Sequence, residues 1–320
     1  MTHPMPHPAH SGAHSAHPAH PHGQQTRHEH RHEHEHGHEH GHGHEHEHEH
    51  GHGHDADQSE VLDLDAEVLA EHLAFLTRWL PVREAPRRIV DLGAGTGAGT
   101  FALLECFPEA RVTAVDSSAA HLDRLHAKAR AQGVGDRVRT VRADLDTEWP
   151  DLGAPDLVWA SASVHHMADP ARTLRQVHGT LAPGGLFAVV ELAGFPRFLP
   201  VDAPEDAPGL LERCHAAAER PHAAHVPHRG TDWGPVLADA GFTVEAERTV
   251  TVNVDSTRSP AVGRYALAGL RRLRASVGDE LSPADLAALD RLLDPVGPQG
   301  ILRRDDLAVR TERTVWAARR

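Results

Sequence analysis

Cysteine is scarce in this chain, and long apolar runs are lacking altogether. Only Cys106 and Cys214 occur among 320 residues, so at most one disulfide can form and a disulfide framework is excluded. No stretch approaches the roughly 18 consecutive apolar residues of a transmembrane helix. Residues 1–54 contain no apolar segment of the signal-peptide kind. We therefore expect a cytoplasmic protein that has no membrane partner.

An excess of positive charge is also lacking. The chain holds 32 Lys and Arg against 46 Asp and Glu, a formal net charge of −14 with histidine neutral. Residues 1–54 contribute two basic and seven acidic residues, which leaves a net charge of −9 for the remainder. Proteins that bind nucleic acid usually present clustered positive charge to the phosphates. We therefore expect no nucleic-acid partner and a small-molecule substrate.

Histidine dominates the N-terminal region. Of 31 histidines, 21 precede Asp55, and from residue 28 onward they alternate with Glu, Gly or a single Arg. A core cannot form from such a segment, so we expect residues 1–58 to be a disordered tail. An expression tag, or a repeat that expanded without selection, are alternative origins of this tract.

The composition of this tail predicts metal binding. Neutral imidazole is a good ligand for nickel, zinc and copper, and a flexible chain can bring several rings to one divalent ion. The candidate metal ligands are the histidines at the even positions: His28, His30, His32, His34, His36, His38, His40, His42, His44, His46, His48, His50, His52 and His54. A protein that acts as a nickel or zinc store or carrier through this tail is the alternative to an enzyme.

A glycine-rich turn is the strongest signal in the rest of the chain. Residues 88–97 give a short β-branched run that ends in Asp91, followed by Gly93, Gly95 and Gly97, after which helical spacing resumes. This is a strand, a tight turn and a helix, and such a turn lets a ligand approach the main chain near helix N-terminal amides. The spacing Gly93-x-Gly95-x-x-Ala98 also satisfies a relaxed dinucleotide fingerprint, so a nicotinamide enzyme is one alternative.

Other residues favour a different cofactor. Asp91, two residues before the first glycine, and the third glycine at Gly97 complete an Asp-x-Gly-x-Gly-x-Gly pattern that resembles the first motif of class I S-adenosylmethionine-dependent methyltransferases. Downstream segments resemble later landmarks of that family in order, and the resemblance covers about residues 80–193 and, more loosely, the C-terminal part. These segments are the strands at 111–116, 138–144 and 156–161, the turn at 181–185, and the helix-to-strand junction at 237–242.

The resemblance implies an α/β fold in residues 59–320, with a doubly wound, seven-stranded Rossmann-like sheet. Its seventh strand, at 309–318, would run antiparallel between the fifth and the sixth. Two insertions, at about 194–232 and 259–293, would form a helical lid that carries substrate specificity. Before the sheet, the apolar spacing of residues 60–80 predicts one helix. His222, His225 and His228 have metal-ligand spacing, but Pro221 and Pro227 favour a polar loop there.

The resemblance also implies which residues contact S-adenosylmethionine. The three glycines would admit its methionine and ribose portions, Asp91 would lie near its ammonium group, and Asp116 would accept its ribose hydroxyls. Asp144 and Leu145 would border the adenine. The full candidate set is Asp91, Gly93, Gly95, Gly97, Asp116, Ser117, Asp144, Leu145 and Ser161. Each acid could instead cap a following turn or helix.

Direct displacement at a sulfonium needs little beyond alignment of the reacting atoms. A base is required when the acceptor is a hydroxyl or an acidic carbon, and His165, His166 and Glu191 follow the fourth and fifth strands at the expected mouth of the cofactor site. They are the candidate catalytic residues. Packing and capping are the alternative roles for the histidine pair.

Overall fold

The computed structural model describes the backbone of residues 48–226 and 228–320, and the side chains of 58–219, 226, 228–278 and 280–320. Within these residues it has one seven-stranded sheet. The strands are β1 (Arg88–Leu92), β2 (Arg111–Asp116), β3 (Val138–Arg142), β4 (Leu157–Ser161), β5 (Leu186–Leu192), β6 (Thr243–Asp255) and β7 (Ala308–Arg319). No helix of the described part is long and apolar enough to span a membrane.

The sheet has the order β3-β2-β1-β4-β5-β7-β6. Strands β1 to β5 pair in parallel, as expected for strands that alternate with helices and are buried on both faces. β7 pairs antiparallel with both β5 and β6. The predicted seven-stranded sheet, including the place of its last strand, is confirmed. Parallel pairing brings the carboxyl ends of β1, β2 and β4 to one edge, and this edge carries the candidate site.

Nine helices accompany the sheet in the described residues. They are α1 (His48–Val68), α2 (Ala70–Trp79), α3 (Ala98–Cys106), α4 (Ala119–Ala131), α5 (Pro170–Thr180), α6 (Leu210–His225), α7 (Trp233–Asp239), α8 (Ala261–Val277) and α9 (Pro283–Leu293). Local sequence explains several starts. Ser118, Asp169 and Ser282 each accept a hydrogen bond from a backbone N–H in the first turn of the helix that follows.

The N-terminal helical region differs from the sequence prediction. Instead of one helix over residues 60–80, α1 begins at His48 and the helix is interrupted at Leu69. The interruption lets the two helices pack on different cores, because Leu64 and Val68 join the core beneath the insertions whereas Leu76 packs against the sheet. Residues 48–58, which the sequence analysis placed in the tail, therefore lie in α1.

The prediction of a polar loop around His222 and His225 is wrong. α6 continues past Pro221 to His225, and His228 lies in a turn beyond it. A proline inside a helix removes one backbone hydrogen bond. The N-terminal half of α6 nevertheless buries a continuous apolar face, formed by Leu210, Leu211, Cys214, Ala217 and Ala218. Burial of this apolar face offsets the free-energy cost of the hydrogen bond lost at Pro221. Helix propensity, which is a local property, does not include this burial.

The apolar core has three main parts. Two of them pack on the two faces of the sheet, around Val158 and Phe187 on one face and Trp159 and Leu103 on the other. The third lies beneath the insertions, where α1, α6, α8 and α9 pack together around Tyr265. The candidate site lies between this third core and the carboxyl edge of the strands.

Candidate functional site

A single cavity of about 650 Å³ opens at the carboxyl edge of the sheet. One end is lined by the glycine-rich turn after β1 and by the residues that follow β2, β3 and β4. The other end is lined by α1, α2, α6 and α8. The sheet and the insertions therefore build one continuous chamber, large enough for a cofactor and a small second molecule.

The glycine-rich turn requires glycine for steric reasons. Gly93, Gly95 and Gly97 have φ values of +65°, +52° and +97°, which side chains rarely adopt. A Cβ atom on Gly93 would lie 2.4 Å from the Cβ atom of Ser163. Ser163 is fixed there because its hydroxyl donates to the Leu92 carbonyl at 2.9 Å. The turn is thus packed against the loop after β4, where Ala162 also has a positive φ of 51°.

Asp116 lies at the end of β2 and is held by three donors. Its Oδ2 accepts the Gly95 N–H at 2.8 Å, and its Oδ1 accepts the Ser118 N–H at 2.9 Å and lies 3.3 Å from His121 Nδ1. Burial acts to raise the pKa of Asp116, but the hydrogen bonds from His121, Ser118 and Gly95 outweigh burial and lower the pKa below its ordinary value. A fixed anion therefore stands beside the turn.

Asp91, at the end of β1, is buried, and its pKa is shifted in the direction opposite to that of Asp116. Its Oδ2 accepts the Thr100 hydroxyl at 2.7 Å. Burial raises the pKa of Asp91 to about 7; the hydrogen bond from Thr100 opposes this rise, and the nearby charge of Asp116 adds to it. Among the described residues, only hydrogen bonding from Thr100 offsets the burial of this carboxylate. A cationic group placed in the cavity would therefore stabilise its ionised form.

Replacement of Asp91 by asparagine is expected to stabilise the cofactor-free chain at alkaline pH. The pKa of Asp91 is higher in the folded chain than the 3.8 of the free side chain, so its ionisation makes folding progressively less favourable as pH rises from about 4 to 7. At pH 8 Asp91→Asn should raise the free energy of unfolding by about 2–4 kcal/mol, a gain that shrinks towards pH 5. Urea denaturation at both pH values measures this difference; an equal effect at both would contradict it.

The remaining candidate cofactor residues also line the cavity. Asp144 and Leu145 follow β3, Ser117 follows β2 and Ser161 ends β4. Leu145 is buried, whereas Asp144 is exposed at the rim, where its Oδ1 accepts the Asp146 N–H at 3.0 Å. Eight of the nine positions thus line one end of the cavity. Gly97 does not, because a Cβ there would meet Phe101 and Leu125. The contacts of the eight with a cofactor remain a prediction.

The three candidate catalytic residues form a linked group. The Oε1 atom of Glu191 accepts the Val164 N–H at 2.9 Å and the His165 N–H at 3.3 Å, and its Oε2 contacts His165 Nδ1. Glu191 and His165 are both buried, and the rings of His165 and His166 lie 4.2 Å apart. Both histidines line the cavity. Glu191 therefore positions the loop after β4, and it fixes one ring nitrogen of His165.

At the opposite end, an ion pair connects α1 to the sheet. Arg313 of β7 donates from Nη2 to both carboxylate oxygens of Asp65, each at 2.8 Å, and Tyr265 of α8 donates its hydroxyl to the same carboxylate at 2.7 Å. Sequence reasoning did not identify these cavity-lining residues. No local motif marks them, because they come from three segments far apart in the chain.

Two further arginines line the same end of the cavity. Arg229 lies in the turn after α6, and Arg272 lies on α8. Neither makes an ion pair with a carboxylate in the part of the chain whose side chains are described. The cavity therefore carries acids at its sheet end. At its insertion end it carries two arginines that have no ion-pair partner in the described part of the chain, although the charges of Glu191 and Glu219 act favourably on Arg229.

The predicted metal ligands of the tail are not among the described side chains. His28 to His46 are outside the described residues, and the side chains of His48, His50, His52 and His54 are outside them too. In the described remainder, no group of three or more His, Cys, Asp or Glu residues could hold a metal ion.

Comparison with known proteins identifies the class of this fold and site. A family model described as a methyltransferase domain matches residues 90–187. The trans-aconitate 2-methyltransferase of Mycolicibacterium gilvum (strain PYR-GCK) is 30% identical over 220 residues, which cover 67% of this chain and 80% of that enzyme. The enzyme of the same name from Acidovorax sp. (strain JS42) is 43% identical over 105 residues, but the match spans only 38% of that relative and 33% of this chain.

A solved structure from Bacillus halodurans C-125, described as that of a candidate methyltransferase, has the same fold. Its TM-score is 0.50 at 18% identity, with 77% of this chain and 97% of that chain covered. The chain thus belongs to the class I S-adenosylmethionine-dependent methyltransferases. The nicotinamide alternative is therefore set aside.

Proposed function

We propose that this enzyme methylates a carboxylate of a small organic acid. The observation that carries the proposal is the charge distribution of the cavity at the carboxyl edge of the sheet. Asp91, Asp116 and Asp144 lie at its sheet end, and Arg229 and Arg272 lie at its insertion end. The relatives support it, because trans-aconitate, which stands in their names, is a carboxylic acid. An acidic end suits a cationic methyl donor, and a basic end suits an anionic acceptor.

S-adenosylmethionine would occupy the sheet end. The ionised side chain of Asp91 would balance its ammonium group, and Asp116, already oriented by Gly95 and Ser118, would accept its ribose hydroxyls. Asp144 and Leu145 would border the adenine. The methionine portion would lie along the glycine turn and Ser161. The residues present fit this molecule, since the turn leaves its backbone open to the cavity and the acids match its cationic and hydroxyl groups.

S-adenosylmethionine supplies an electrophilic methyl carbon on a sulfonium. The chain contributes alignment and exclusion of water, which suffice for an acceptor that is already ionised at neutral pH. A carboxylate has no proton to lose, so under this proposal His165 shapes the cavity wall, with Glu191 holding its ring. For a hydroxyl acceptor, His165 would instead be the base, and His166 the adjacent candidate.

Methyl transfer from radiolabelled S-adenosylmethionine to trans-aconitate tests the proposal. Matched acceptors in which each carboxylate is replaced by a primary amide serve as controls, and base-labile label in the acid product identifies a methyl ester. Calorimetric titration with S-adenosylmethionine, with NADH as the negative control, establishes cofactor binding separately. Cofactor binding without transfer to any carboxylic acid would refute the acceptor class and leave the enzyme class intact.

We also propose that the histidine-rich tail binds divalent nickel or zinc. The density of imidazole ligands supports this proposal, and the intervening glutamates add attraction for a cation. A storage or carrier role with an idle enzyme domain is the rival function. The calorimetric titration addresses that rival directly, because an idle domain whose site had decayed would not bind S-adenosylmethionine.

Removal of residues 1–46 is expected to eliminate most nickel binding. This truncation keeps α1 intact, and the domain should retain its affinity for S-adenosylmethionine within about twofold, because the cavity residues all follow residue 57. Equilibrium dialysis with nickel counts the bound ions. A full-length variant with glutamine at His28 to His46 controls for chain length. Unchanged nickel stoichiometry in both variants would overturn the tail proposal.

A further inference from the structure

The insertion end of the cavity contains an unusual pair of positive charges. Arg229 comes from the first insertion and Arg272 from the second, and both line the cavity. The pKa of Arg229 is lowered, first by burial and then by the charge of Arg272. Arg229 is half-buried and Arg272 is exposed, and like charges that act on each other are unfavourable unless an anion joins them. The fold therefore holds two guanidinium groups close enough to repel each other at this end of the cavity.

Other arginines nearby are neutralised. Arg313 is bound by Asp65 through two hydrogen bonds, and Arg197 pairs with Glu212 at 3.1 Å. Arg229 differs from Arg313 because no carboxylate pairs with it in the described part of the chain, and its buried Nε has no hydrogen-bond partner there either. A buried donor without a partner carries a free-energy penalty that an anionic ligand would remove.

An aromatic platform fixes the orientation of Arg229. Its guanidinium carbon lies 4.2 Å from the centroid of the Phe195 ring, a cation–π distance. The ring of His215, on α6, stacks against Phe195 with centroids 5.4 Å apart. Because the guanidinium rests on this stack, its donors are held in place before a ligand arrives. Such preorganisation favours bidentate recognition of a planar carboxylate.

We propose that Arg229 and Arg272 bind a second carboxylate of the acceptor, one that is not methylated. This inference rests on the proposed function and deepens it, because it makes the enzyme selective for acids with at least two carboxylates. One carboxylate would meet the methyl group at the sheet end of the cavity. The other would be anchored by the arginine pair, which therefore sets both orientation and specificity.

Fumarate and crotonate form a matched pair of probes, since they differ only in a carboxylate replaced by a methyl group. Calorimetry with the full chain saturated with S-adenosylhomocysteine should show fumarate binding about 10- to 100-fold more tightly than crotonate. Trans-aconitate is the third probe, in case fumarate is too short to span the cavity. Equal affinity for crotonate and both polyacids, or no binding of either polyacid, would overturn the inference.

Variants then assign the effect to residues. Arg229→Met and Arg272→Met should each weaken binding of the tighter polyacid about 10- to 100-fold while leaving crotonate unaffected. Arg271→Met is the matched control, because Arg271 and Arg272 are adjacent and both exposed on α8, but only Arg272 lines the cavity. S-adenosylhomocysteine affinity and melting temperature show whether each variant is folded. Arg229→Lys keeps the charge but loses the planar fork and should recover only part of the affinity.

The two proposals fail in distinguishable ways. If trans-aconitate is methylated but its KM is unchanged in both arginine variants, the arginine pair has no role and the proposed function stands. If polyacids bind in an arginine-dependent manner but no acid is methylated, the anion site stands and the proposed function fails.

Discussion

Replacing Asp116 by alanine is expected to raise the Kd for S-adenosylmethionine by at least about 100-fold. Its carboxylate would accept the ribose hydroxyls, and hydrogen bonds to a charged group are worth about 1.5–3 kcal/mol each. The side chain also holds the turn, because its oxygens accept the N–H groups of Gly95 and Ser118. Loss of the ribose contact and loss of support for the turn should both raise the Kd. Calorimetric titration measures the change.

Two further variants separate these effects. Asp116→Asn keeps one acceptor oxygen and the shape of the side chain, so it should retain more stability than Asp116→Ala while still binding the cofactor poorly. Asp123→Ala, at an exposed position on α4, controls for loss of an acid and should change the Kd less than twofold. Wild-type affinity in Asp116→Ala would remove Asp116 from the cofactor site.

The sheet end of the cavity could be predicted from the sequence because its signals are local. Asp91 and the three glycines occupy seven consecutive residues, and each acid follows a strand whose apolar residues mark its end. Once the strands are parallel, their carboxyl ends must meet at one edge. The place of β7 between β5 and β6 was instead implied by the family resemblance, and the structure confirms it.

The insertion end could not be predicted in this way. Arg229, Arg272 and Arg313 lie in three different segments, and only the packing of α1, α6 and α8 brings them to one cavity. α6 shows the same limit, because Pro221 argued for a loop whereas burial of an apolar face favours a helix. Packing between segments that are distant in the chain determines both the arginine end of the cavity and the helical conformation of α6. The order of residues along the chain does not show this packing.

Glu191 illustrates an intermediate case. Its position at the end of β5 suggested a catalytic carboxylate, and it does lie beside His165. Its other oxygen, however, accepts two backbone N–H groups from the loop after β4. A carboxylate engaged in this way orients the loop that carries the histidine pair. The sequence therefore predicted that Glu191 lies near the histidine pair. Its hydrogen bonds support a role in orienting the loop after β4.

Gly93→Ala is expected to destabilise the chain by about 3–5 kcal/mol. A left-handed backbone costs a side-chain-bearing residue about 1–2 kcal/mol, and Gly93 has a φ of +65°. The new Cβ would also lie 2.4 Å from the Ser163 Cβ, and relief of such an overlap typically costs a further 1–3 kcal/mol. Displacing Ser163 would weaken its hydrogen bond to Leu92. Urea denaturation measures the loss.

Gly133 supplies a matched control for the backbone contribution. Its φ is +69°, almost that of Gly93, but a Cβ there would meet nothing within 4 Å. Gly133→Ala should therefore cost only about 1–2 kcal/mol.

The overlap itself is tested by the double variant Gly93→Ala with Ser163→Gly, in which the opposing Cβ is absent. The two substitutions should compensate each other by at least about 1 kcal/mol in a double-mutant cycle. If their effects were additive, the close approach of the turn to the loop after β4 would not be what requires glycine at position 93.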